Sequence, residues 1–393
     1  MDIPEILLIT FAGLAAIPTL VFTMQILLAA GVGDTEIGRY GRRPSIAVLM
    51  PAHNEAAIIG ETLGSILPQL VANDRLLVVA DNCTDETSAI AKECGAYVIE
   101  RRNENLRGKG YALDFGLQCL AKQNPPEVVI IIDADCQVSS DCIDTLARRA
   151  SSENRPIQAL YLMQAPAIKS VTQAIAEFAW VVKNQVRPLG FKRLGLSCQL
   201  MGTGMAFPLN VLSDVNLAHG NMVEDMKLGI DLALKGFAPI FCPDALVTSE
   251  FPTSAQVTAT QRTRWEHGHL ATIFAETPRL LKAAIQRRDA SLLAMALDLS
   301  VPPLSVLGLM LLILFGFAGV LTLVYGKTLT LSIVGVITAI FAVAALLAWY
   351  RFGRKILAFK TLCAAPFYML RKIPLYLAFI VKRQQDWVKT ERR

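Results

Sequence analysis

Three long stretches without a charged residue constrain this chain more than any other feature of its sequence. Residues 6–33, 299–326 and 329–350 are almost entirely apolar. Each is long enough to cross a hydrocarbon core, which takes about 20 apolar residues in a helix. Hydrophobic residues also make up 53% of the 393 positions, more than a wholly soluble protein carries. The sequence therefore predicts an N-terminal membrane anchor and two later membrane spans.

Charged residues beside the spans predict how the chain is oriented. Basic residues follow the first and the last span, namely Arg39, Arg42, Arg43, Arg351, Arg354, Lys355 and Lys360. Because cytoplasmic loops carry an excess of lysine and arginine, the middle of the chain is predicted to be cytoplasmic and the turn at Lys327 external. Asp2 and Glu5 favour a retained anchor over a cleaved signal peptide. We expect a multi-pass protein of the inner (plasma) membrane.

This pattern divides the chain into four segments. Residues 1–40 form the anchor, 41–290 a cytoplasmic domain, 291–350 two transmembrane helices, and 351–393 interfacial helices with a basic tail. The last segment is assigned to the membrane interface because lysine, arginine and proline interrupt its apolar runs. The net charge of +5 suits contact with anionic membrane lipid and gives no indication of nucleic acid binding.

The cytoplasmic segment alternates between apolar runs and helical patterns. Strands are predicted at 46–50, 76–80, 97–99, 128–132 and 159–163, and helices at 57–71, 86–94, 109–123 and 141–150. This alternation predicts an α/β fold with a mainly parallel sheet that is covered on both faces. Ligands of such sheets bind at the carboxyl ends of the strands.

The run at 128–132 is the candidate central strand, and two carboxylates follow it. Asp133 and Asp135 are two residues apart, so on an extended backbone both can face the same side. Carboxylate oxygens suit hard divalent cations, which also accept phosphate as a co-ligand. The alternative interpretation is that one of the two caps the next helix.

The loops near the other predicted strands hold further candidates. These are Asn54, Glu55, Asp81, Asp85 and Lys109, the last just before a helix predicted to start near residue 111. The chain lacks a Gly-x-Gly-x-x-Gly pattern after the first strand and a P-loop, so side chains would hold a nucleotide. Carboxylates can bind a base or ribose, and Lys109 can meet a phosphate. For Asp81 and Asp85, turn and cap chemistry is the alternative.

Two later motifs also have two interpretations each. Gly202 and Thr203 lie in a glycine-rich turn before a short apolar strand, where glycine permits close backbone approach to a substrate. An ordinary tight turn is the alternative. Glu224 and Asp225 open a helical stretch, either as a general base with its neighbour or as acids that favour the helix dipole.

The last motif lies shortly before the paired spans. Gln261, Arg264 and Trp265 can share one face of a helix, and a guanidinium beside an indole suits a phosphate next to a sugar ring. An amphipathic helix on the membrane surface is the alternative. His267 and His269 are poorly spaced for a metal, and we expect them to orient neighbouring groups at most.

Taken together, these motifs resemble the membrane-bound family 2 glycosyltransferases, which include cellulose, hyaluronan, chitin and poly-N-acetylglucosamine synthases. The resemblance rests on Asp-Asn-Cys-Thr-Asp at 81–85, Arg-Gly-Lys-Gly at 107–110, Asp-Ala-Asp at 133–135, Glu-Asp at 224–225 and Gln-Arg-Thr-Arg-Trp at 261–265. The order and spacing of the five motifs make the signal specific over roughly residues 45–270. The resemblance implies a GT-A catalytic domain, a nucleotide-sugar donor, a divalent cation (Mg²⁺ or Mn²⁺) and inversion at the anomeric carbon.

The resemblance also implies roles in donor binding. The residues that would frame the uridine of a UDP-sugar are Ala52, Asn54, Glu55 and Asp81. Lys109 would assist the diphosphate. Asp133 and Asp135 would lie where the cation meets the diphosphate, with Asp135 the direct metal ligand.

Further roles concern the acceptor and the base. Asp225 matches the catalytic base of the family's Thr-Glu-Asp motif, written here Val223-Glu224-Asp225. The Gln-x-x-Arg-Trp motif, which lies near the acceptor and the diphosphate in the family, is matched by Gln261, Arg264 and Trp265. Gly202 and Thr203 would form a wall for the acceptor. The tail residues Trp387, Lys389 and Thr390 resemble the gating segment that closes over the donor in polysaccharide synthases.

Three functional hypotheses follow. The first is a processive synthase that moves sugar from a UDP-sugar to a growing β-linked polysaccharide. The second is a non-processive transferase that adds one sugar to a lipid-linked saccharide in exopolysaccharide or envelope biosynthesis. Three spans are fewer than many polymerases have, so a homodimer or an export partner would complete a channel. The third hypothesis is a transporter or scaffold whose cytoplasmic domain only binds nucleotide.

Overall fold

A computed structural model describes residues 2–31, 41–122, 124–166, 168–213, 215, 217–218, 223–252 and 255–381. The chain divides into two compact units, and each is described by itself. The helical unit comprises Met1–Gly33, Ala167–Gly195 and Arg262–Gln384, and the sheet unit includes Asp34–Pro166 and Leu196–Gln261. The predicted segment 41–290 is therefore shared between the two units.

The strands are β1 Ile46–Ala52, β2 Arg75–Asp81, β3 Tyr97–Arg101, β4 Val128–Ile131, β5 Cys136–Val138, β6 Ile157–Gln164, β7 Met205–Pro208 and β8 Ile240–Glu250. The α-helices are α1 Ile3–Ala30, α2 Ile59–Ile66, α3 Thr87–Glu93, α4 Lys109–Lys122, α5 Cys142–Glu153, α6 Val171–Val181, α7 Arg187–Lys192, α8 Leu209–Leu212, α9 Glu224–Leu234, α10 Ala255–Arg287, α11 Ala290–Ser300, α12 Leu304–Tyr325, α13 Thr328–Ala348, α14 Phe359–Leu362, α15 Ala365–Arg371 and α16 Ile373–Val381. Short 3₁₀ and π segments are Leu67–Gln69, Val182–Val186 and Trp349–Gly353.

The strands of the sheet unit form one sheet in the order β3-β2-β1-β4-β7-β6-β8-β5. β3, β2, β1 and β4 are parallel neighbours, whereas β7 runs antiparallel to β4 and β6. Val48, Val78 and Ile130, at the centres of β1, β2 and β4, are fully buried. Continuous apolar strands of this kind are typical of parallel sheets covered on both faces. The predicted α/β fold with a mainly parallel sheet is confirmed.

Most of the predicted elements of the sheet unit match those of the structure. The five predicted strands correspond to β1, β2, β3, β4 and β6, the strand after the glycine-rich turn is β7, and the four predicted helices correspond to α2 to α5. The sequence pattern does not predict β5 or β8. β5 has only three residues, and Pro243 with Asp244 interrupts the apolar pattern of β8.

The helical unit contains the three charge-free stretches. Within the described residues, α1, α12 and the continuous Thr328–Gly353 helix are long and apolar enough to cross a membrane. α12 begins later than the predicted start at 299, because Pro302 and Pro303 separate it from α11. The predicted interfacial segment forms the short helices α14 to α16, and Phe367 and Leu377 are largely exposed on them. These exposed apolar side chains suit the predicted interfacial position.

A buried polar cluster joins the first span to two other helices of this unit. Gln25 of α1 is fully buried and donates to Asp298 Oδ1 of α11 (2.7 Å). Arg187 of α7 donates to Gln25 Oε1 (3.0 Å) and pairs with Asp298 (2.8 Å). Because each buried polar group here has a partner, the cluster fixes how these helices meet instead of destabilising them.

Candidate active site

Neighbouring parallel strands bring several predicted site residues to one edge of the sheet. β1 ends at Ala52, β2 ends at Asp81, and Asp133 follows β4 by two positions. Because β2, β1 and β4 are parallel and adjacent, their carboxyl ends lie at the same edge. This edge is where ligands of open α/β sheets bind.

Lys109 connects residues from four of the motifs. It is the first residue of α4, which is where the predicted helix 109–123 begins. Its Nζ atom lies 2.5 Å from Asp133 Oδ1, donates to the Gly202 carbonyl at 2.7 Å, and lies 4.0 Å from Glu224 Oε1. Burial alone would lower the pKa of Lys109, but the carboxylates of Asp133 and Glu224 raise it. Lys109 is therefore a permanent cation between these acids.

Asp133 and Asp135 do not share one extended strand, because Asp135 lies in a turn, and this corrects the prediction from their spacing. β4 ends at Ile131, and the Asp133 carbonyl accepts from the Cys136 N–H at 3.2 Å. This i to i+3 bond closes a turn that leads into β5. Helix capping does not explain the two acids either, because the next helix, α5, has Asp141 at its N-cap.

The glycine-rich turn bonds to Asp133 and lies beside Asp225. The Asp133 N–H donates to Thr203 Oγ1 at 3.0 Å. Gly202 has a φ of 93°, a conformation that side chains disfavour. A Cβ atom built on Gly202 would lie 3.5 Å from Asp225 Oδ2 and 4.0 Å from Lys109 Nζ. The turn therefore forms one wall beside the acids.

Glu224 and Asp225 are the first two residues of α9. Burial raises the pKa of Glu224 to about 7, with Lys109 opposing the shift and Asp225 adding to it. A helix N-terminus by itself favours the ionised form of an acid. The raised pKa of Glu224 shows that burial outweighs this dipole effect.

Asp81 forms an ion pair that sequence reasoning missed. Its Oδ1 atom lies 2.6 Å from Arg101 Nη1, and both side chains are 10% exposed. Arg101 also lies 5.7 Å from the centre of the Tyr111 ring. Asp81 and Arg101 are register partners at the ends of β2 and β3. Extending the predicted strand 97–99 by two residues would have brought Arg101 to the ligand edge.

Asp85, in contrast, has the structural role that turn chemistry predicts. Its Oδ1 atom accepts from the backbone N–H and the hydroxyl of Thr87 (3.1 and 2.5 Å). Burial would raise the pKa of Asp85, but hydrogen bonds from Thr87 and the Ala56 N–H hold it below its ordinary value. Asp85 thus orders its own loop.

The residues predicted to frame the uridine also join two loops to each other. Asn54 has a φ of 56°, its Oδ1 accepts from the Thr84 N–H (2.8 Å), and its Nδ2 donates to Thr84 Oγ1 (3.2 Å). The Glu55 N–H donates to Thr87 Oγ1 (2.8 Å). The Ala52 carbonyl accepts from the Cys83 thiol (3.5 Å). The loops after β1 and β2 therefore form a common wall.

The Gln-x-x-Arg-Trp motif lies on α10, as expected for a helical motif. Gln261 is buried and belongs to the sheet unit, whereas Arg264 and Trp265 belong to the helical unit. Within the helical unit, the ring of Trp265 lies 5.2 Å from that of Trp180, at an interplanar angle of 47°. The predicted gating residues Trp387, Lys389 and Thr390 lie outside the described residues.

The two histidines after this motif are buried. His267 Nε2 forms a 2.9 Å hydrogen bond with the Leu375 carbonyl. Burial, together with Lys183 and Arg187, lowers the pKa of His269, so this side chain is neutral at physiological pH. The expected orienting role of the two histidines stays a prediction.

The donor set suits a cation that is shared with a substrate. In the part of the chain that the structure describes, no three His, Cys, Asp or Glu side chains cluster as a metal cage. Lys109 already contacts Asp133, and the Cys136 thiol donates to Asp135 Oδ1 at 3.4 Å. A hard cation at Asp135 would need further oxygen ligands, and a diphosphate can supply them.

Comparison with known proteins agrees with this geometry. The family model "Glycosyltransferase like family 2" matches residues 44–268, more than half of the chain. The chain belongs to glycosyltransferase-like family 2. The match ends at the α10 motif and contains every sheet residue discussed above, so the predicted glycosyltransferase domain is confirmed.

Similar proteins support the same family. The probable glycosyltransferase YdaM of Bacillus subtilis (strain 168) is 27% identical over 244 residues, which cover 58% of this chain and 55% of YdaM. The probable glucomannan 4-beta-mannosyltransferase 10 of Arabidopsis thaliana is 24% identical over 265 residues, which cover 60% of this chain and 44% of that protein. The chain thus spans about half the length of the curated relatives it matches.

A solved structure shows the same fold over nearly the whole chain. It is the mannosyltransferase PcManGT from Pyrobaculum calidifontis in complex with GDP-Man and Mn²⁺, at a TM-score of 0.55 and 17% sequence identity. The match covers 94% of this chain and 98% of that chain. The predicted GT-A fold class is therefore confirmed.

Proposed function

We propose that this protein is an inverting, nucleotide-sugar-dependent hexosyltransferase of the membrane. The observation that carries the proposal is the convergence on Lys109, whose ammonium contacts Asp133, Gly202 and Glu224. A nucleotide-binding scaffold has no need of several acids around a partly buried lysine and beside a glycine wall. A group transfer uses the lysine against the negative charge that develops on a diphosphate, and it uses an acid to take the proton of the acceptor hydroxyl.

The residues of the chain then have distinct roles in the reaction. Lys109 binds the donor diphosphate. Asp81 holds the nucleoside together with the loops after β1 and β2, which are hydrogen-bonded to each other. Asp225 takes the proton from an acceptor hydroxyl as this attacks the anomeric carbon in line. Gly202 and Thr203 form the acceptor wall. Arg264 assists the diphosphate, while Gln261 and Trp265 hold the acceptor sugar and set its angle of attack.

The family's divalent cation fits this donor set. Asp135 would hold Mg²⁺ or Mn²⁺, and Asp133, two positions before it, pairs with the Lys109 ammonium group. When bound, such a cation supplies positive charge that offsets the charge on the leaving nucleotide.

The identities of the donor and the acceptor are proposed from the sequence motifs and from the similar proteins. A UDP-sugar is the donor that the sequence motifs imply, and GDP-mannose is the second candidate because PcManGT binds it. For the acceptor we propose a growing β-linked polysaccharide, which the name of the Arabidopsis relative supports. The alternative acceptor is a lipid-linked saccharide that receives a single sugar, a reaction that the three candidate spans among the described residues can serve. Product chain length from purified protein separates the two.

The test of this function replaces the proposed base. Asp225→Asn should lower turnover by about 10²- to 10⁴-fold while nucleoside diphosphate binding is retained, because Asp225 acts on the acceptor. Asp231→Asn is the matched control, since Asp231 lies on the same helix and pairs with Lys227. The assay is sugar transfer from a panel of UDP- and GDP-sugars by detergent-solubilised protein. Wild-type turnover in Asp225→Asn would remove Asp225 from the base role.

A further inference from the structure

Gln158 is a fully buried amide that belongs to none of the sequence motifs. It lies on β6 with 0% of its surface exposed. Its Nε2 atom donates to the carbonyls of Thr203 and Ala159, each at 2.9 Å, and its Oε1 atom accepts from the Met201 N–H at 2.8 Å. Two of these three hydrogen bonds reach the glycine-rich turn at 201–204.

The strand and the turn are in direct contact around this amide. The Ala159 N–H donates to the Gly204 carbonyl at 2.8 Å. A Cβ atom built on Gly204, whose φ is 65°, would come within 2.7 Å of Ala159 Cβ. The pairing of β6 with β8 shifts register between Ala159 and Leu160, and such irregularities often re-aim side chains beside functional sites.

The same turn holds the two charged residues at the centre of the site. The Gly202 carbonyl accepts from Lys109 Nζ at 2.7 Å, and Thr203 Oγ1 accepts from the Asp133 N–H at 3.0 Å. Gln158 bonds to Thr203 itself and to Met201, so it holds both residues next to Gly202 in the chain. A shift of the turn would therefore move Lys109 and Asp133 together.

Glutamine suits a residue that holds the turn by hydrogen bonds better than one that only fills space in the core. Leucine or methionine would fill the volume of Gln158, and burying an amide is unfavourable unless its hydrogen bonds are made. Among neutral side chains, only an amide offers two N–H donors and an acceptor oxygen on one planar group. The three partners here use both kinds of atom.

We propose that Gln158 is a positioning residue, which sets the turn at 201–204 and through it the Lys109–Asp133 pair that receives the donor diphosphate. The catalytic part of this inference rests on the proposed function. The structural part, that Gln158 holds the turn and through Thr203 the Asp133 amide, stands without it.

The test compares three variants of the detergent-solubilised full chain. Gln158→Met keeps the side-chain length and loses all three hydrogen bonds. We expect kcat/KM for the nucleotide sugar to fall about 10- to 100-fold, the effect of a misplacement of about 1 Å. Hydrogen exchange should also accelerate in the peptides that carry the Met201 and Asp133 amides.

Gln158→Glu tests whether residue 158 positions the turn by hydrogen bonds or only packs against it. It also replaces Gln158→Met if the methionine variant fails to fold. Its protonated carboxyl group can donate to the Thr203 carbonyl, whereas its carboxylate would face two carbonyl oxygens. Activity relative to wild type should therefore recover as the pH is lowered in Gln158→Glu and not in Gln158→Met.

Asp74→Asn is the control for a simple loss of stability. Asp74 is buried and paired with Arg43, and it precedes β2, at the amino edge of the sheet. This variant should keep wild-type turnover and wild-type exchange at Asp133. Wild-type turnover and unchanged Asp133 exchange in Gln158→Met would overturn the inference. A wild-type protein that is inert toward every donor would overturn the proposed function, and the exchange at Asp133 would then decide the role of Gln158 alone.

Discussion

Lys109 shows how one cation stabilises a cluster of acids that would otherwise repel one another. Asp133 and Glu224 lie within 4.0 Å of its ammonium group, and Asp225 adds a third carboxylate to the same field. Like charges this close disfavour each other's ionisation. The ammonium group lowers that repulsion, and the pKa of Glu224 is raised mainly because its carboxyl group is buried, with a smaller contribution from Asp225.

Glu224 should make folding stability fall as the pH rises. Burial raises its pKa from 4.5 to about 7, so between these values the folded protein holds a proton that the unfolded chain releases. The stabilisation is fully present below the unfolded pKa and is lost as the pH rises through about 7. We expect Glu224→Gln to remove this dependence, with a Tm that exceeds the wild-type Tm above neutrality. Thermal unfolding across pH measures the effect, with the exposed Glu93→Gln as control. Parallel pH profiles for Glu224→Gln and wild type would contradict it.

Asp135 should set the metal requirement of the reaction. We expect a chelator to abolish transfer and Mg²⁺ or Mn²⁺ to restore it, because the cation offsets charge on the leaving diphosphate. Asp135→Asn should need about tenfold more metal for half-maximal rate, since a neutral amide binds hard cations more weakly. Asp141→Asn, on an exposed residue nearby in the sequence, is the control. A transfer rate that the chelator leaves unchanged would exclude a metal requirement at Asp135.

Candidate site residues can be recognised in the sequence when they lie at the end of a strand or the start of a helix. Asp81, Lys109 and Asp133 are conspicuous because a charge interrupts an apolar pattern at a strand end or helix start. Gln158 lies inside a strand, where a single polar residue has no distinctive periodicity. Its role depends on a partner turn more than forty positions away in the chain, a distance that local patterns do not bridge.

At the scale of elements, a buried polar cluster attaches the C-terminal helices to α10. Glu266 of α10 accepts from Lys372 and from the Tyr376 hydroxyl (2.8 Å). Ser305, in the first turn of α12, bonds to that hydroxyl (2.6 Å) and accepts from Lys372 (3.1 Å). Burial and Glu266 raise the pKa of Tyr376, so its hydroxyl stays protonated. The sequence shows these residues only as interruptions of apolar runs, because their partners lie on distant helices.

Removing one member of this cluster should destabilise the helical unit. Glu266 and Lys372 are both 11% exposed, and breaking a buried ion pair from one side typically costs about 3–5 kcal/mol. We expect Lys372→Met to lower the Tm in detergent, and the reversed pair Glu266→Lys with Lys372→Glu to recover part of the loss. Arg371→Met changes an exposed neighbour and should leave the Tm unchanged. A wild-type Tm for Lys372→Met would show that the pair does not stabilise the fold.

At the scale of the whole molecule, Lys327 connects the two parts of the membrane-spanning region. It lies in the turn between α12 and α13, with Nζ 3.2 Å from Glu5 and 3.4 Å from Asp2. The start of α1 and this turn therefore lie at the same end of the helical unit. The excess of basic residues after the first and last spans predicts the same arrangement, with both on the external side.

Cysteine labelling should reveal this orientation. Cys363 is exposed and follows the last span, so the predicted topology places it in the cytoplasm. Wild-type protein in sealed spheroplasts should therefore resist a membrane-impermeant maleimide and react only after permeabilisation. Lys327→Cys should react in sealed spheroplasts, because the turn it occupies is external. Labelling of the wild type before permeabilisation would show that the orientation is the opposite of the predicted one. The proposed base, Asp225, would then face away from the cytoplasmic pool of nucleotide sugars, and the proposed reaction would lose its donor.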